Sequence, residues 1–213
     1  MKKYHLKATL HSFLLVAVLT IPTMSRAQIA DHLVPHFGFM YQFVNLEDPR
    51  SASGQNTTFS YYTLSIGSYY ELAHKNDVMS VGVDAGVNFG INFIPTQFSG
   101  TVVTVITQVP MFAMARVGAL STKYNQQPVG LGLGIGGVYT YFNDVVDFSG
   151  NKVKSDFIVP AAVGEVTLRT RGNTITGRVH VSLLPTNALL KGDNRPDLDY
   201  NFSNFGLGLI YNL

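Results

Sequence analysis

The amino-acid sequence predicts an all-β fold: an eight-stranded antiparallel up-and-down β-barrel that crosses a membrane, preceded by a cleavable signal peptide. Three observations predict it. Apolar residues recur at every second position over long stretches, the period a strand imposes by pointing successive side chains to opposite faces. There are eight such stretches, and the connections between them alternate long and short. Charged residues make up only 13% of the chain, about half the share of an average soluble domain.

The first 27 residues carry Lys2, Lys3 and Lys7 without an acid, an apolar run from Phe13 to Ile21, and Ser25-Arg26-Ala27 at their end. This is the three-part pattern of a secretory signal, with cleavage expected after Ala27 and residues 28–213 left as one barrel domain. The apolar run falls short of the ~20 residues of a spanning helix, which argues against an uncleaved anchor. Cleavage removes four of the 15 bases and none of the 13 acids, so 11 bases face 13 acids and the formal charge becomes −2. The basic character of the whole chain belongs to the signal and gives no reason to expect nucleic acid as a partner. With no cysteine in the chain, disulfides and lipid attachment through cysteine are excluded.

The clearest strand is Val78 to Ile91, where Met79, Val81, Val83, Ala85, Val87, Phe89 and Ile91 alternate with Ser80, Gly82, Asp84, Gly86, Asn88 and Gly90. Before it, His36 to Phe43 sets Phe37, Phe39, Tyr41 and Phe43 on one face, and Ser60 to Leu72 repeats the pattern after a polar loop, Asn45 to Thr58. The link Ala73 to Asp77 is short. A second long connection is expected over Asn92 to Thr107, whose Thr101 to Ile106 run could extend a strand above the membrane. The fourth strand, Gln108 to Ala119, contains Pro110, which cannot donate to a ladder and is expected near a strand end or bulge. Ser121 to Pro128 reads as a modest turn. Val129 to Phe142 alternates Leu131, Leu133 and Ile135 with Gly130, Gly132, Gly134 and Gly136. Asn143 to Asp156 is the third long loop, followed by strands Phe157 to Arg171 and Thr174 to Leu184. Pro185 to Asp199 is the fourth loop, and Tyr200 to Leu213 closes the chain.

Alternation alone does not separate this barrel from a soluble lipocalin-like periplasmic binding barrel with its apolar face inward. Size and charge favour the membrane. An eight-stranded interior is just filled by side chains, and the Gly, Ser, Thr and Asn face fits it where the Leu, Ile, Val and Phe face would overfill it. Glu71, Asp84, Arg116, Glu165, Arg169 and Arg178 all fall on the glycine-bearing face, three acids and three bases. They are expected to form an ion-pair network that closes the lumen, since a mid-membrane Arg on the lipid side would cost about 2–4 kcal/mol. Tyr62, Tyr70, Phe89, Tyr139, Tyr141 and Tyr211 lie near strand ends, where interfacial girdles belong.

The strand V-P-M-F-A-M-A-R-V-G at Val109 to Gly118, the glycine-alternating fifth strand and the ending F-G-L-G-L-I-Y-N-L at Phe205 to Leu213 resemble a known family. It is the small eight-stranded outer-membrane β-barrel family, the OmpA/OmpX-like transmembrane domain with its PorT-like variants. The resemblance implies a place in the cell outer membrane, contact with outer-membrane lipid and lipopolysaccharide, and handling by the barrel-assembly machinery. Phe205, Leu207, Leu209, Tyr211 and Leu213 are similar to the C-terminal signal that this machinery reads, although the signal usually ends in Phe or Trp and here ends in Leu213. The family holds wall components, adhesins, secretion accessories and enzymes, so fold alone does not give the function.

One chemical constellation stands out. His180-Val181-Ser182 puts an imidazole and a hydroxyl on one strand face, about 7 Å apart, and resembles the H-x-S of outer-membrane lipid A 3-O-deacylases. In those enzymes Asn follows the serine and a glutamate follows on the next strand. Here Leu183 follows, and no glutamate comes after Glu165. His180 and Ser182 therefore read as a lumen-facing hydrogen-bonding pair, with the esterase as the alternative. His32 and His36 flank Pro35 at a strand entrance and read as ordinary histidines, and no metal or other cofactor is expected. The alternate glycines lack the G-x-G-x-x-G spacing of a phosphate cradle. The expected function is a structural or surface-binding role without catalysis, with the long loops presenting the surface for an extracellular ligand.

Overall fold

The computed structural model describes residues 31–47, 56–96, 100–146, 152–170, 173–192 and 198–213; the expected signal segment 1–27 lies outside them. Among these residues there are nine strands: β1 (Leu33–Glu47), β2 (Asn56–Lys75), β3 (Met79–Thr96), β4 (Gly100–Gly118), β5 (Val129–Val146), β6 (Lys152–Thr170), β7 (Asn173–Ser182), β8 (Thr186–Gly192) and β9 (Leu198–Asn212). Each pairs antiparallel with its neighbours, and β1 pairs with both β2 and β9, so the sheet closes on itself.

The ninth strand does not add a stave to the barrel. Both β7 and β8 run antiparallel to β6 and to β9, so they are two halves of one stave broken at Leu183-Leu184-Pro185. Between the pairs Ala161↔Ser182 and Lys154↔Lys191, β6 advances seven residues while the broken stave advances nine. Opposite β9 the excess is again two. Pro160 sits on β6 where the ladder to β7 ends, and Leu183 N–H still donates to its carbonyl at 2.8 Å. The expected loop Pro185 to Asp199 thus contains a strand.

The strands are longer than their alternation suggested. β2 has 20 residues, about twice the ~9–11 of a tilted spanning strand, so the wall continues past the lipid on the loop side. The expected loop Asn92 to Thr107 is mostly a hairpin extension of β3 and β4, leaving residues 97–99 between them. The loops expected over Asn45 to Thr58 and Asn143 to Asp156 shrink in the same way. Pro110 is neither terminal nor bulged. It lies mid-β4, paired with Val138 of β5, and the β3 side of the ladder lapses opposite it, at Gly86 and Val87, without a change of register.

Apolar side chains face outward. Leu133 is 72% exposed, Tyr62 71% and Phe39 66%, while Thr63, Ser65, Asp84, Gln108, Thr140 and Asn204 are buried inside. A lipocalin-like inversion is excluded by this orientation. Tyr41, Phe43, Tyr62, Tyr139 and Tyr141 lie outward toward the loop ends of their strands, with Tyr70 and Tyr211 toward the turn ends. Inside, two apolar layers interrupt the polar lining. One, on the loop side, holds Val44, Tyr61, Ile106, Phe142, Phe157, Val159, Ala188 and Phe202; the other, lower, holds Val34, Tyr69, Phe112, Met114, Leu120 and Val163.

The connection from β4 to β5 is no modest turn. Ala119, Leu120, Ser121, Thr122 and Asn125 are buried, and Leu120 joins the lower apolar layer, corking the turn end of the barrel. Ser121 Oγ and Asn125 Nδ2 both donate to the Asp77 carbonyl, at 2.8 and 2.5 Å, tying the cork to the β2–β3 turn. Asn76, Asp77 and Leu120 have φ of 52°, 55° and 61°. For a leucine this left-handed conformation costs roughly 1–2 kcal/mol, offset here by burial of its side chain.

If the outer face meets lipid, Leu133→Arg destabilises the barrel by about 2–4 kcal/mol, whereas Leu133→Val is nearly neutral. The chain has no tryptophan, so the check is the urea midpoint at which the gel-mobility difference between unheated and boiled protein disappears. Equal midpoints would place that face in water.

Candidate functional site

The side chains that could do chemistry are gathered in the lumen, brought to one level by strands far apart in sequence. Asp84 comes from β3, Arg116 from β4, Glu165 from β6, Arg178 from β7 and His36 from β1. Arg116 Nε donates to Glu165 Oε2 at 2.9 Å and its Nη2 to Glu165 Oε1 at 3.2 Å and Asp84 Oδ2 at 3.3 Å. Arg178 Nε donates to Glu165 Oε1 at 2.8 Å, and its Nη2 reaches Glu165 Oε1 at 2.5 Å and Asp84 Oδ2 at 2.9 Å. All four groups are buried, and two carboxylates meet two guanidiniums. The quartet carries no net charge. His36 Nε2 lies 3.2 Å from Asp84 Oδ2, and the Arg116 guanidinium carbon sits 4.0 Å over the Tyr69 ring, a cation–π contact.

The lumenal glycines make room for these groups. A Cβ on Gly132 would stand 2.8 Å from Glu165 Oε2, one on Gly67 2.7 Å from the His36 ring, and one on Gly82 2.7 Å from the Tyr69 ring. Gly67, Gly82 and Gly132 are thus sockets against which His36, Tyr69 and Glu165 lie, while Gly134 gives the same room to Met114.

On the loop side of the quartet is an amide layer. Gln42 Nε2 donates to Gln108 Oε1 at 2.7 Å, Tyr61 O–H to Gln42 Oε1 at 3.2 Å, Gln108 Nε2 to the Tyr61 hydroxyl at 3.2 Å, and Asn204 Nδ2 to Gln42 Oε1 at 3.3 Å. On the other side, Thr167 and Thr176 hydroxyls lie 2.9 Å apart and Asn212 Nδ2 donates to Thr176 Oγ1 at 2.9 Å. The lumen is filled in layers of charge, amide and apolar packing.

The remaining candidate residues fall elsewhere. Glu71 is buried at the turn end, 2.5 Å from His74 Nδ1 and 3.4 Å from His32 Nδ1, in contact with neither arginine of the quartet among the described interactions. Arg169 lies on the lumen face of β6 but pairs with none of the quartet among the described residues, and its Nη1 has no partner there. Ser182 Oγ donates to the Asn204 carbonyl at 3.1 Å and accepts from the Asn204 N–H at 2.9 Å. This bracket pins β7 to β9 just below the break in the stave. His180 is buried nearby, its ring 6.4 Å from Phe112, and no hydrogen bond joins it to Ser182 among the described residues. His32 and His36 part company, one at the mouth with Glu71 and one inside with Asp84. Among the described residues, no group of three or more His, Asp or Glu side chains is placed to hold a metal ion. Phe205, Leu207 and Leu209 line the outside of β9.

The sequence reasoning missed His36 and Tyr69 as members of the charged layer. A signal was present in Gly67, opposite His36, and in Gly82, diagonal to Tyr69, since each leaves a gap that a neighbouring ring fills.

The chain is a closed antiparallel β-barrel with an apolar outer face. No family model and no curated protein matches its sequence. Among solved structures it is similar to neisserial surface protein A, at 14% identity over 82% of this chain and 96% of that one, TM-score 0.40. It is also similar to Ail, the attachment invasion locus protein of Yersinia pestis, at 14% identity over 86% and 99%, TM-score 0.42. The outer membrane protein AlkL, determined in DMPC lipid bilayers, shares 16% identity over 85% and 89%, TM-score 0.48.

Arg178 and Glu165 are direct cross-strand partners, which gives a sharp test of the quartet. Arg178→Met alone leaves two carboxylates facing one guanidinium and costs about 3–5 kcal/mol. Adding Glu165→Met restores charge balance and recovers most of that loss. The urea midpoint of the gel shift measures both, and a double variant as weak as the single one would mean the pair contributes through packing instead.

Proposed function

We propose that this chain is an outer-membrane β-barrel with a closed lumen and a structural or surface-binding role, without catalysis. The observation that carries the reading is the neutral, fully buried quartet Asp84, Arg116, Glu165 and Arg178, laid across a barrel whose outer face is apolar. An eight-stranded lumen filled in this way leaves no channel, and the apolar exterior is what lipid requires. Outer-membrane lipid and lipopolysaccharide are then the partners of the wall. The barrel-assembly machinery reads the last strand through Phe205, Leu207, Leu209, Tyr211 and Leu213, and an extracellular ligand meets the loops. The esterase alternative is disfavoured because Ser182 is committed to the Asn204 backbone and makes no contact with His180 among the described residues.

Membrane fractions from expressing cells, run on a gel unheated and boiled, test the location. A mobility shift confined to the outer-membrane fraction is expected, and a protein released by osmotic shock would overturn the reading. In planar bilayers the purified barrel is expected to be silent, while steady conductance steps would show that the plug is open. Mass spectrometry of lipid A from cells with and without the chain should show no change. Loss of an acyl group that depends on both His180 and Ser182 would make it an enzyme.

A further inference from the structure

Between the charge layer and the amide layer the lumen is not completely filled. Pro110 is buried on β4, and beside its compact ring lies a void. Met40, Phe112 and Val138 give this void an apolar side, and Asn88, Arg178 and His180 give it a polar one. All six are buried. The space measures about 10 Å³, and a single water molecule needs roughly 10–15 Å³ on that scale.

Two of the lining residues bring a polar atom that the protein does not satisfy. Asn88 Oδ1 and His180 Nε2 are buried without a hydrogen-bond partner among the described residues. The histidine ring is held in place, because a Cβ on Gly206 would stand 3.0 Å from Nδ1 and Phe112 lies alongside at 6.4 Å. With Nδ1 against the β9 wall, Nε2 is the ring nitrogen left for the void. Leaving either atom bare would cost its full desolvation. A purely apolar void of this size stays dry, whereas one that borders two such atoms can hold a bridging water.

We propose that the void is a binding site for one water molecule, held between Asn88 of β3 and His180 of β7. The water donates to Asn88 Oδ1 and meets His180 Nε2 as donor or acceptor, according to the imidazole tautomer. Charge decides against an ion. The quartet is already neutral, so an anion would add an uncompensated charge to a closed interior, and a cation would face Arg178. The bridge ties β3 to β7 across the lumen, just below the bracket that Ser182 makes to β9. A longer side chain at position 110 would fill the site.

The test is a crystal structure of the detergent-purified mature barrel at a resolution where single waters are seen. One isolated density peak is expected in the void, within hydrogen-bond reach of both Asn88 Oδ1 and His180 Nε2, and without anomalous signal in crystals soaked in bromide. In Asn88→Leu, which removes the acceptor at similar size, the peak is lost. That variant is first shown to keep the mobility shift on boiling; if it does not, the wild-type crystal alone decides. The proposal is overturned if the wild-type void holds no density, if the two side chains turn to bond protein groups instead, if bromide occupies the void, or if the peak persists unchanged in Asn88→Leu.

Discussion

A barrel wall in lipid must satisfy every polar group it holds from within, and the quartet of Asp84, Glu165, Arg116 and Arg178 is the point where this constraint is tightest. Each charge would be costly to bury alone; paired and shared across four strands, they cancel. The geometry is demanding, because the carboxylates must receive several N–H donors at once. That is why β3, β4, β6 and β7 all have to be in register before the quartet is complete. In β5, beside the quartet, the missing side chain of Gly132 gives Glu165 and Arg116 room to lie against the wall.

The apolar layers depend on the same arrangement. With the charges neutralised, the lumen on either side can be packed like the interior of a soluble protein, with Phe142, Phe157 and Phe202 in ring contact on the loop side. The long strands then have a reason to continue past the lipid, since an interior of this kind stabilises wall that no bilayer surrounds. The amide layer of Gln42, Gln108 and Asn204 joins the two regimes, bonding side chain to side chain without a net charge.

Much of the architecture was legible in the alternation. Which residues face in and which face out followed from period two, and the outward Leu133 and inward Asp84 stand where that period puts them. Strand length was less legible. In Asn92 to Thr107, polar residues and Pro95 masked a hairpin whose backbone pairs above the lipid, where an apolar outer face is no longer required. The break in the seventh stave left no mark, because Leu183-Leu184-Pro185 looks like the end of a strand. The six lumenal charges were identifiable as a set, but not which of them meet. That depends on the stagger between strands, which brings Asp84 to Arg178 and leaves Glu71 at the mouth with His32 and His74. Leu120 was invisible for a different reason, since nothing in a short polar connection announces that one leucine turns inward.

The broken stave has a consequence for how such a wall can change. It carries two more residues than its neighbours, and two is one full period of the pleat, so Thr186 and Ala188 return to the inward phase held by His180 and Ser182. An excess of one would have turned the rest of the stave inside out, pointing Ala188 outward and its neighbours into the aromatic packing. Length at this stave is thus taken up as a pair, unlike the one-residue shift between Glu71 and Ala73 near the end of β2. Leu183-Leu184-Pro185 marks a site where the wall has taken in such a pair while keeping the same closure above and below.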